Sequence, residues 1–136
     1  MTKNALTDGD YKLLADFRGT LRRFLAFSEA KAAEVGLTPQ QHQALLAIKA
    51  AALDKATIGY VAECLILKPH SASGLIDRLE SLALIERRRS SEDRRQAQVF
   101  LTEKADKLLA KLSATHREEI RRLRPMLTAL LASIGD

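Results

Sequence analysis

Five arginines crowded into nine positions are the residues of this chain best suited to binding chemistry. Residues 87–95 hold Arg87, Arg88, Arg89, Arg94 and Arg95, interrupted by Glu92 and Asp93. A local positive cluster of this kind is the pattern expected of a contact with nucleic-acid phosphates. A solvated loop with internal salt bridges would show the same composition, so the elements around the cluster must distinguish the two.

Composition limits the class of protein. The chain has 136 residues, 46% of them hydrophobic, with 22 Lys and Arg against 17 Asp and Glu. This predicts a single domain, residues 1–136, with a core of its own. No apolar run approaches the roughly 20 residues of a membrane helix, and the first residues lack the apolar stretch of a signal peptide. Because Cys64 is the only cysteine, no intrachain disulfide can form, and we expect a soluble, cytoplasmic protein without membrane contact.

Signals for catalysis or metal binding are weak. The six glycines are scattered, with no phosphate-cradling loop, and no order of Ser, His and Asp suggests nucleophilic catalysis. Cys64 and the histidines His42, His70 and His116 lack metal-ligand spacing. The sequence therefore predicts a protein that is not an enzyme and that has no metal site or cofactor.

Two short amphipathic helices precede the arginines. The first begins after Thr57 with apolar residues at i, i+3, i+4 and i+7 from Ile58, and the second opens at Pro69 and repeats that spacing from Ala72. Helices joined by about three residues must cross steeply to share one core, which predicts a helix-turn-helix. On the second helix the residues off the apolar stripe are small or polar and face outward, able to contact a surface: His70, Ser71, Ser73 and Gly74.

The arginine cluster then falls on a hairpin. A strand begins at Leu84-Ile85, SSED supplies turn residues, and Ala97, Val99 and Leu101 alternate as the inward face of a returning strand. A hairpin directly after a helix-turn-helix is a wing. Its tip carries Arg94 and Arg95, with Asp93 beside them to orient a guanidinium, and a narrow minor groove favours inserted arginine. This order of elements favours DNA contact over a solvated loop.

Long helices flank this unit. One is predicted from Asp10 to Val35, and a second follows a Thr102 cap to the end of the chain, with Pro125 kinking or restarting it. Between the first long helix and the helix-turn-helix, another helix is predicted from about Pro39 to Ala52, and it starts in a capping box at Thr38. Because the terminal helices are apolar and lie outside the winged unit, we expect 1–36 and 104–136 to dimerise and 37–103 to bind DNA. The alternative is an intrachain helical cap on a monomer.

Three stretches resemble the MarR family of bacterial transcriptional regulators. They are LTPQQHQALLAI from Leu37, VAECLILKPHSASGLIDRLESLALIERR from Val61, and SSEDRRQAQVFLTEKA from Ser90. The most specific motifs are Asp93-x-Arg95 followed by Leu101-Thr102, and then LIDRLE at 75–80. The resemblance implies a mainly α winged helix-turn-helix, a homodimer on a pseudo-palindromic operator, and a repressor or activator. It places the helix from Pro69 in the major groove and Arg95 in the minor groove.

The complete expected DNA-binding set is Lys68, Pro69, His70, Ser71, Ser73, Gly74, Arg78, Arg88, Asp93, Arg94 and Arg95. Departures from the family pattern lie within or beside it. Lys68 stands where the family often has a Ser or Thr cap, and it offers a phosphate contact instead. Ile66 replaces the usual turn glycine. Gly74 replaces a long polar residue and so removes one expected base contact.

The resemblance also implies a small aromatic or anionic effector, bound between the dimerisation helices and the DNA-binding lobe. The candidate residues are Phe17, Phe24, His42 and Leu46, although Phe17, Phe24 and Tyr11 are expected mainly in the core. Two other functions remain open. Cys64 could make the protein a redox-sensing regulator, and the winged helix could serve protein contacts alone.

Overall fold

The computed structural model describes residues 5–52, 54–89 and 97–134. Within these ranges the chain is mainly helical, with one antiparallel pair of strands. In chain order the elements are α1 (Asp8–Glu34), α2 (Pro39–Ala50), α3 (Ile58–Leu65), α4 (Pro69–Ser81), β1 (Ile85–Arg89), β2 (Ala97–Leu101) and α5 (Glu103–Ala132). The mainly α fold class with a small hairpin is confirmed.

Local capping sets where most helices begin. Thr38 accepts from the Gln41 N–H and Gln41 returns a bond to the Thr38 N–H, which is the predicted capping box of α2. Thr57 and Thr102 cap α3 and α5 through their side chains, as predicted. Thr7 forms an unpredicted capping box with Asp10, so α1 starts earlier than the apolar pattern suggested.

The core lies where α2, α3, α4, the hairpin and the start of α5 meet. Its largest fully buried side chains are Leu45, Ile76, Leu79, Ile85, Val61 and Val99. Each comes from an apolar position of a predicted helix or strand, so the burial of these faces assembles the helix-turn-helix and the wing into one unit. This arrangement fixes which faces of α4 and of the hairpin remain at the surface.

The hairpin is joined to α3 as well as paired internally. Its register places Arg87 opposite Val99 and Arg88 opposite Gln98. Val99 is buried, whereas the other four residues of β2 are half-buried, so the predicted inward face of the second strand is confirmed at Val99. The Val99 N–H also donates to the Ala56 carbonyl at 2.8 Å, and this bond ties the wing to the beginning of the helix-turn-helix.

The two long helices α1 and α5 pack against each other. The Ser28 hydroxyl lies 2.8 Å from His116 Nε2, and the Thr20 hydroxyl lies 3.0 Å from Met126 Sδ. The expected core position is wrong for Tyr11 and Phe17, which are exposed in this chain, whereas Phe24 is half-buried. Their stripe turns away from the core because small residues such as Ser28 and Ala32 occupy the contact side of α1.

Helix α5 does not restart at Pro125 but continues to Ala132. Proline removes one N–H donor from the ladder, and Arg121, whose carbonyl would receive it, is exposed, so water can satisfy that carbonyl. None of the helices in the described part of the chain combines the length and apolar character needed to cross a membrane.

Candidate nucleic-acid interface

Helix α4 presents a polar face opposite the core. Ala72, Ile76 and Leu79 are fully buried at one side of the helix. The predicted contact residues on the other side are exposed, except for Ser73, which is half-buried: Lys68, Pro69, His70, Ser71, Gly74 and Arg78. The structure therefore brings the α4 members of the predicted set to one accessible surface.

The turn before α4 has an unusual conformation. Ile66 has φ 55° and ψ 50°, the left-handed region, and is 92% exposed. This conformation lets the Leu67 N–H donate to the Ala62 carbonyl at 2.8 Å, which closes the end of α3. The turn thus keeps the geometry that a glycine would give it, although isoleucine is a poor residue for that backbone.

The beginning of α4 is open to a ligand. Lys68 is its N-cap residue, but its side chain forms no capping hydrogen bond. The unpaired N–H groups of a helix N-terminus and a lysine beside them attract an anion such as a phosphate. At Gly74, a Cβ would meet no atom within 4 Å, so packing does not require glycine there and the missing side chain leaves room for an approaching surface.

The arginines of the hairpin have different environments. Arg88 is exposed, lies 4.4 Å above the Phe100 ring and pairs with Glu86 at 3.6 Å. Arg87 instead points to α4 and pairs with Asp77 and Glu80. Asp93, Arg94 and Arg95, predicted at the wing tip, lie outside the described residues.

Two of the predicted effector residues belong to one aromatic cluster. The His116 ring lies 4.9 Å from that of His42, 6.0 Å from Phe24 and 5.5 Å from Phe27. This cluster joins α1, α2 and α5, where the two long helices meet the first helix after α1. Phe17 and Leu46, the other two predicted residues, are exposed. The sequence did not predict that Phe27 and His116 belong to this cluster, because their proximity depends on helix packing rather than on local sequence.

The two imidazoles differ in their hydrogen bonds. His116 Nδ1 donates to the Leu112 carbonyl at 2.7 Å, so in the neutral ring Nε2 accepts from the Ser28 hydroxyl. His42 is 2% exposed, and its Nδ1 has no hydrogen-bond partner among the described residues. Burial, and secondarily the charge of His116, lower the pKa of His42. A polar ligand atom near His42 would satisfy this nitrogen.

A separate cavity of about 360 Å³ lies between the end of α2, the hairpin and the start of α5. Its wall includes Arg88, Phe100 and the ion pair of Lys49 with Asp106, which joins α2 to α5 at 2.8 Å. None of the four predicted effector residues lines it. The cavity has the size of a small-molecule site and lies at the base of the wing.

Cys64 and possible metal ligands give a simpler result. Cys64 is exposed on α3, and its thiol, through a hydrogen bond, raises the pKa of the neighbouring Tyr60. In the described ranges, no three His, Cys, Asp or Glu side chains are grouped so that they could hold a metal ion. Nothing in these surroundings favours the redox alternative over DNA binding.

Comparison with known proteins finds a family model and several solved structures that are similar to this chain. The model of the MarR family matches residues 35–96. A Staphylococcus aureus MepR mutant bound to an oligodeoxyribonucleotide is 23% identical, with 96% of this chain and 100% of that chain covered and a TM-score of 0.70. AbsC, a MarR family transcriptional regulator from Streptomyces coelicolor, is 20% identical over 96% and 99% of the two chains, with a TM-score of 0.73.

A third structure, the MarR family transcription regulator SP03579, is 22% identical, with 88% of this chain and 81% of that chain covered and a TM-score of 0.75. No curated protein sequence matches the chain significantly. The resemblance seen in the sequence is thereby confirmed: residues 35–96 match the model of the MarR family, and the chain is similar in fold to winged-helix MarR-family transcription regulators.

Proposed function

We propose that this protein is a homodimeric, DNA-binding transcriptional regulator, a repressor that a small ligand releases from its operator. The observation that carries the proposal is the exposed polar face of α4, from Lys68 to Arg78, beside a hairpin with exposed Arg88. The MepR relative was solved with an oligodeoxyribonucleotide, which supports the same use of this fold here.

The parts of this surface have separate tasks in the proposal. Lys68 and Arg88 neutralise phosphates, whereas His70, Ser71 and Ser73 meet base edges in the major groove. Arg94 and Arg95, which the sequence predicts at the wing tip, are proposed to reach the minor groove, with Asp93 orienting a guanidinium. Two copies of α4 in a dimer then recognise half-sites about 34 Å apart, so the operator is a pseudo-palindrome.

Selection of bound duplexes from a random-sequence pool tests the DNA-binding function. Wild-type protein should enrich a pseudo-palindrome, and its affinity should fall steeply with salt. Ser71→Ala should change the preference at one base position by about 1–3 kcal/mol. Ser81→Ala is the matched control, since Ser81 is exposed at the far end of α4 and should leave the preference unchanged. Failure to enrich any sequence would contradict the proposal.

The ligand-release part of the proposal rests on the cluster of His42, His116 and Phe24. Its aromatic rings suit a phenolic or aromatic carboxylate compound, and His42 Nδ1, which has no partner among the described residues, supplies a polar contact for it. A ligand there can release DNA only if it binds the DNA-incompetent arrangement of the two lobes more tightly.

Calorimetry with phenolic and carboxylate compounds, with and without the selected duplex, tests this coupling. We expect weaker ligand binding in the presence of DNA, because coupling between two sites is reciprocal. Equal affinity in both cases for every binder would show that the coupling is absent. A compound that binds His42→Leu as well as wild type would occupy another site, such as the cavity beside Arg88 and Phe100.

A further inference from the structure

Arg87 occupies a position of the hairpin where an apolar side chain would be expected. Strand side chains alternate between faces, and Arg87 shares the inward face of the hairpin with Ile85 and Val99, which are both buried. Its side chain is only 29% exposed, against 65% for Arg88 on the opposite face. Partial burial of a guanidinium favours a partner of opposite charge, because removing the charge from water is costly.

The partners of Arg87 are two acidic residues of α4. Arg87 Nη2 donates to the Asp77 carboxylate, and Arg87 Nε lies 3.6 Å from Glu80 Oε1. Asp77 and Glu80 stand three positions apart and therefore on one face of the helix. The planar guanidinium thus joins the first strand of the wing to one turn of the helix that presents His70, Ser71 and Ser73.

The contact between Arg87 and α4 is directional as well as electrostatic. A guanidinium offers several N–H donors in a fixed plane, so two carboxylates on it restrict rotation and sliding of α4 against β1. The Nε atom is buried and forms no hydrogen bond with any residue that the structure describes. Its interaction with Glu80 is therefore electrostatic, and Asp77 provides the directed contact.

We propose that Arg87 is a positioning residue, which fixes the orientation of α4 against the wing and so determines how well the protein discriminates its operator from other DNA. The inference rests on the proposed DNA-binding function. Asp77 and Glu80 are negative charges on the DNA-binding helix, and Arg87 holds both against the hairpin. Arg87 therefore acts through α4 and not as a phosphate contact.

Arg88→Gln is the matched control for Arg87→Gln. Both substitutions remove one positive charge from the same strand, but Arg88 pairs with Glu86 of its own strand and stacks on Phe100. As a phosphate contact, Arg88 should contribute to binding of every duplex. Loss of Arg88 should weaken binding to the selected duplex and to a random duplex by the same factor, and it should reduce the salt slope by about one.

The experiment titrates each variant against the duplex that wild-type protein selects and against random duplex, at several salt concentrations. Arg87→Gln should lower the ratio of the two affinities about tenfold, comparable with the loss of one base contact, and leave the salt slope unchanged. Asp77→Asn should lower this ratio similarly. The double variant should be no worse than the more affected single variant, because both remove the same contact.

Two results would overturn the inference. The first is that Arg87→Gln weakens binding to both duplexes by the same factor. If the salt slope also falls, Arg87 is a phosphate contact; if the slope is unchanged, Arg87 is a purely structural residue. The second is that Asp77→Asn tightens binding to both duplexes and leaves the ratio of the two affinities unchanged, in which case the Asp77 charge only repels DNA. Failure of the proposed function would be seen separately, since wild-type protein would then select no duplex.

Discussion

At the scale of single residues, the conformation of Ile66 has a measurable energetic consequence. A β-branched residue in the left-handed region places its Cβ against its own backbone, and residues in such regions cost about 1–3 kcal/mol each. The side chain is 92% exposed, so packing within this chain does not compensate. Ile66 therefore lowers the stability of the turn that positions α4.

Replacing Ile66 by glycine should stabilise the protein. Glycine removes the left-handed strain, and part of this gain is offset by its greater freedom in the unfolded chain, so we expect a net gain of about 1 kcal/mol. Denaturant unfolding measures the change. Ile66→Ala is the control, because alanine retains the Cβ and most of the strain. A glycine variant no more stable than the alanine variant would contradict this explanation.

His42 should make folding stability depend on pH. Burial and His116 lower its pKa in the folded state below the ordinary 6.5. Between the two values the unfolded chain binds more protons than the folded one, so the free energy of unfolding falls as pH decreases below about 6.5. Above that pH the histidine is neutral in both states and contributes no slope.

His42→Leu should remove this part of the pH dependence. The expected result is a smaller loss of stability between about pH 7 and about pH 5 than in wild type, measured by denaturant unfolding across that range. His70→Gln is the control, since His70 is exposed on α4 and should leave the profile unchanged. Equal slopes for His42→Leu and wild type would show that protonation of His42 is not linked to unfolding.

The arginines show what sequence can and cannot predict about individual residues. The clustering of charge predicted a binding surface, and the alternation from Ile85 already places Arg87 on the inward face. Its partners could not be predicted, because Asp77 lies ten positions away on another element and only packing brings them together. The proximity of His42 to His116 has the same origin.

At the scale of elements, local signals determined the boundaries and tertiary packing determined the rest. Threonine caps and the apolar periods predicted α2, α3, α4 and both strands closely, because these signals act within a few residues. Pro125 did not restart α5, since one lost hydrogen bond on an exposed side can be satisfied by water. Which face of α1 is buried depends on its neighbours, and the aromatic pattern alone gave the wrong answer for Tyr11 and Phe17.

The start of α4 lacks a side-chain cap but carries the positive charge of Lys68. Replacing this residue should therefore have opposite effects on stability and on DNA affinity. Lys68→Ser should add the missing N-cap bond and raise stability by about 1 kcal/mol. It should also weaken binding to every duplex and reduce the salt slope by about one, because a phosphate contact is lost. Denaturant unfolding and DNA titration measure the two effects.

Lys68→Ala separates the two contributions of this residue. It removes the charge without supplying a cap, so it should weaken DNA binding as much as serine does and give no gain in stability. If Lys68→Ser binds DNA as tightly as wild type at all salt concentrations, Lys68 does not contact a phosphate in the complex.

At the scale of the whole molecule, the two long helices leave apolar surface uncovered. On α1, Leu14, Phe17, Leu21 and Leu25 are 55%, 46%, 45% and 53% exposed. On α5, Ile120, Leu131 and Ile134 are also exposed. Monomeric proteins rarely expose contiguous apolar patches of this kind. A symmetric contact with a second copy would bury both stripes, which favours the proposed dimer over a monomer with an intrachain helical cap.

A charge placed on this stripe should therefore separate the subunits. Leu25→Glu puts a carboxylate where an apolar contact is expected. Burying this unpaired charge in an apolar interface would strongly destabilise the dimer. Ala26→Glu is the matched control, because Ala26 is the next residue of α1, is exposed and faces away from the stripe. Light scattering at micromolar concentration should give a dimer for wild type and Ala26→Glu, and a monomer for Leu25→Glu.

The monomeric variant should also bind the selected duplex more weakly, since each chain then meets only one half-site. A monomer mass for wild type would contradict the dimer, and an unchanged mass for Leu25→Glu would place the interface elsewhere.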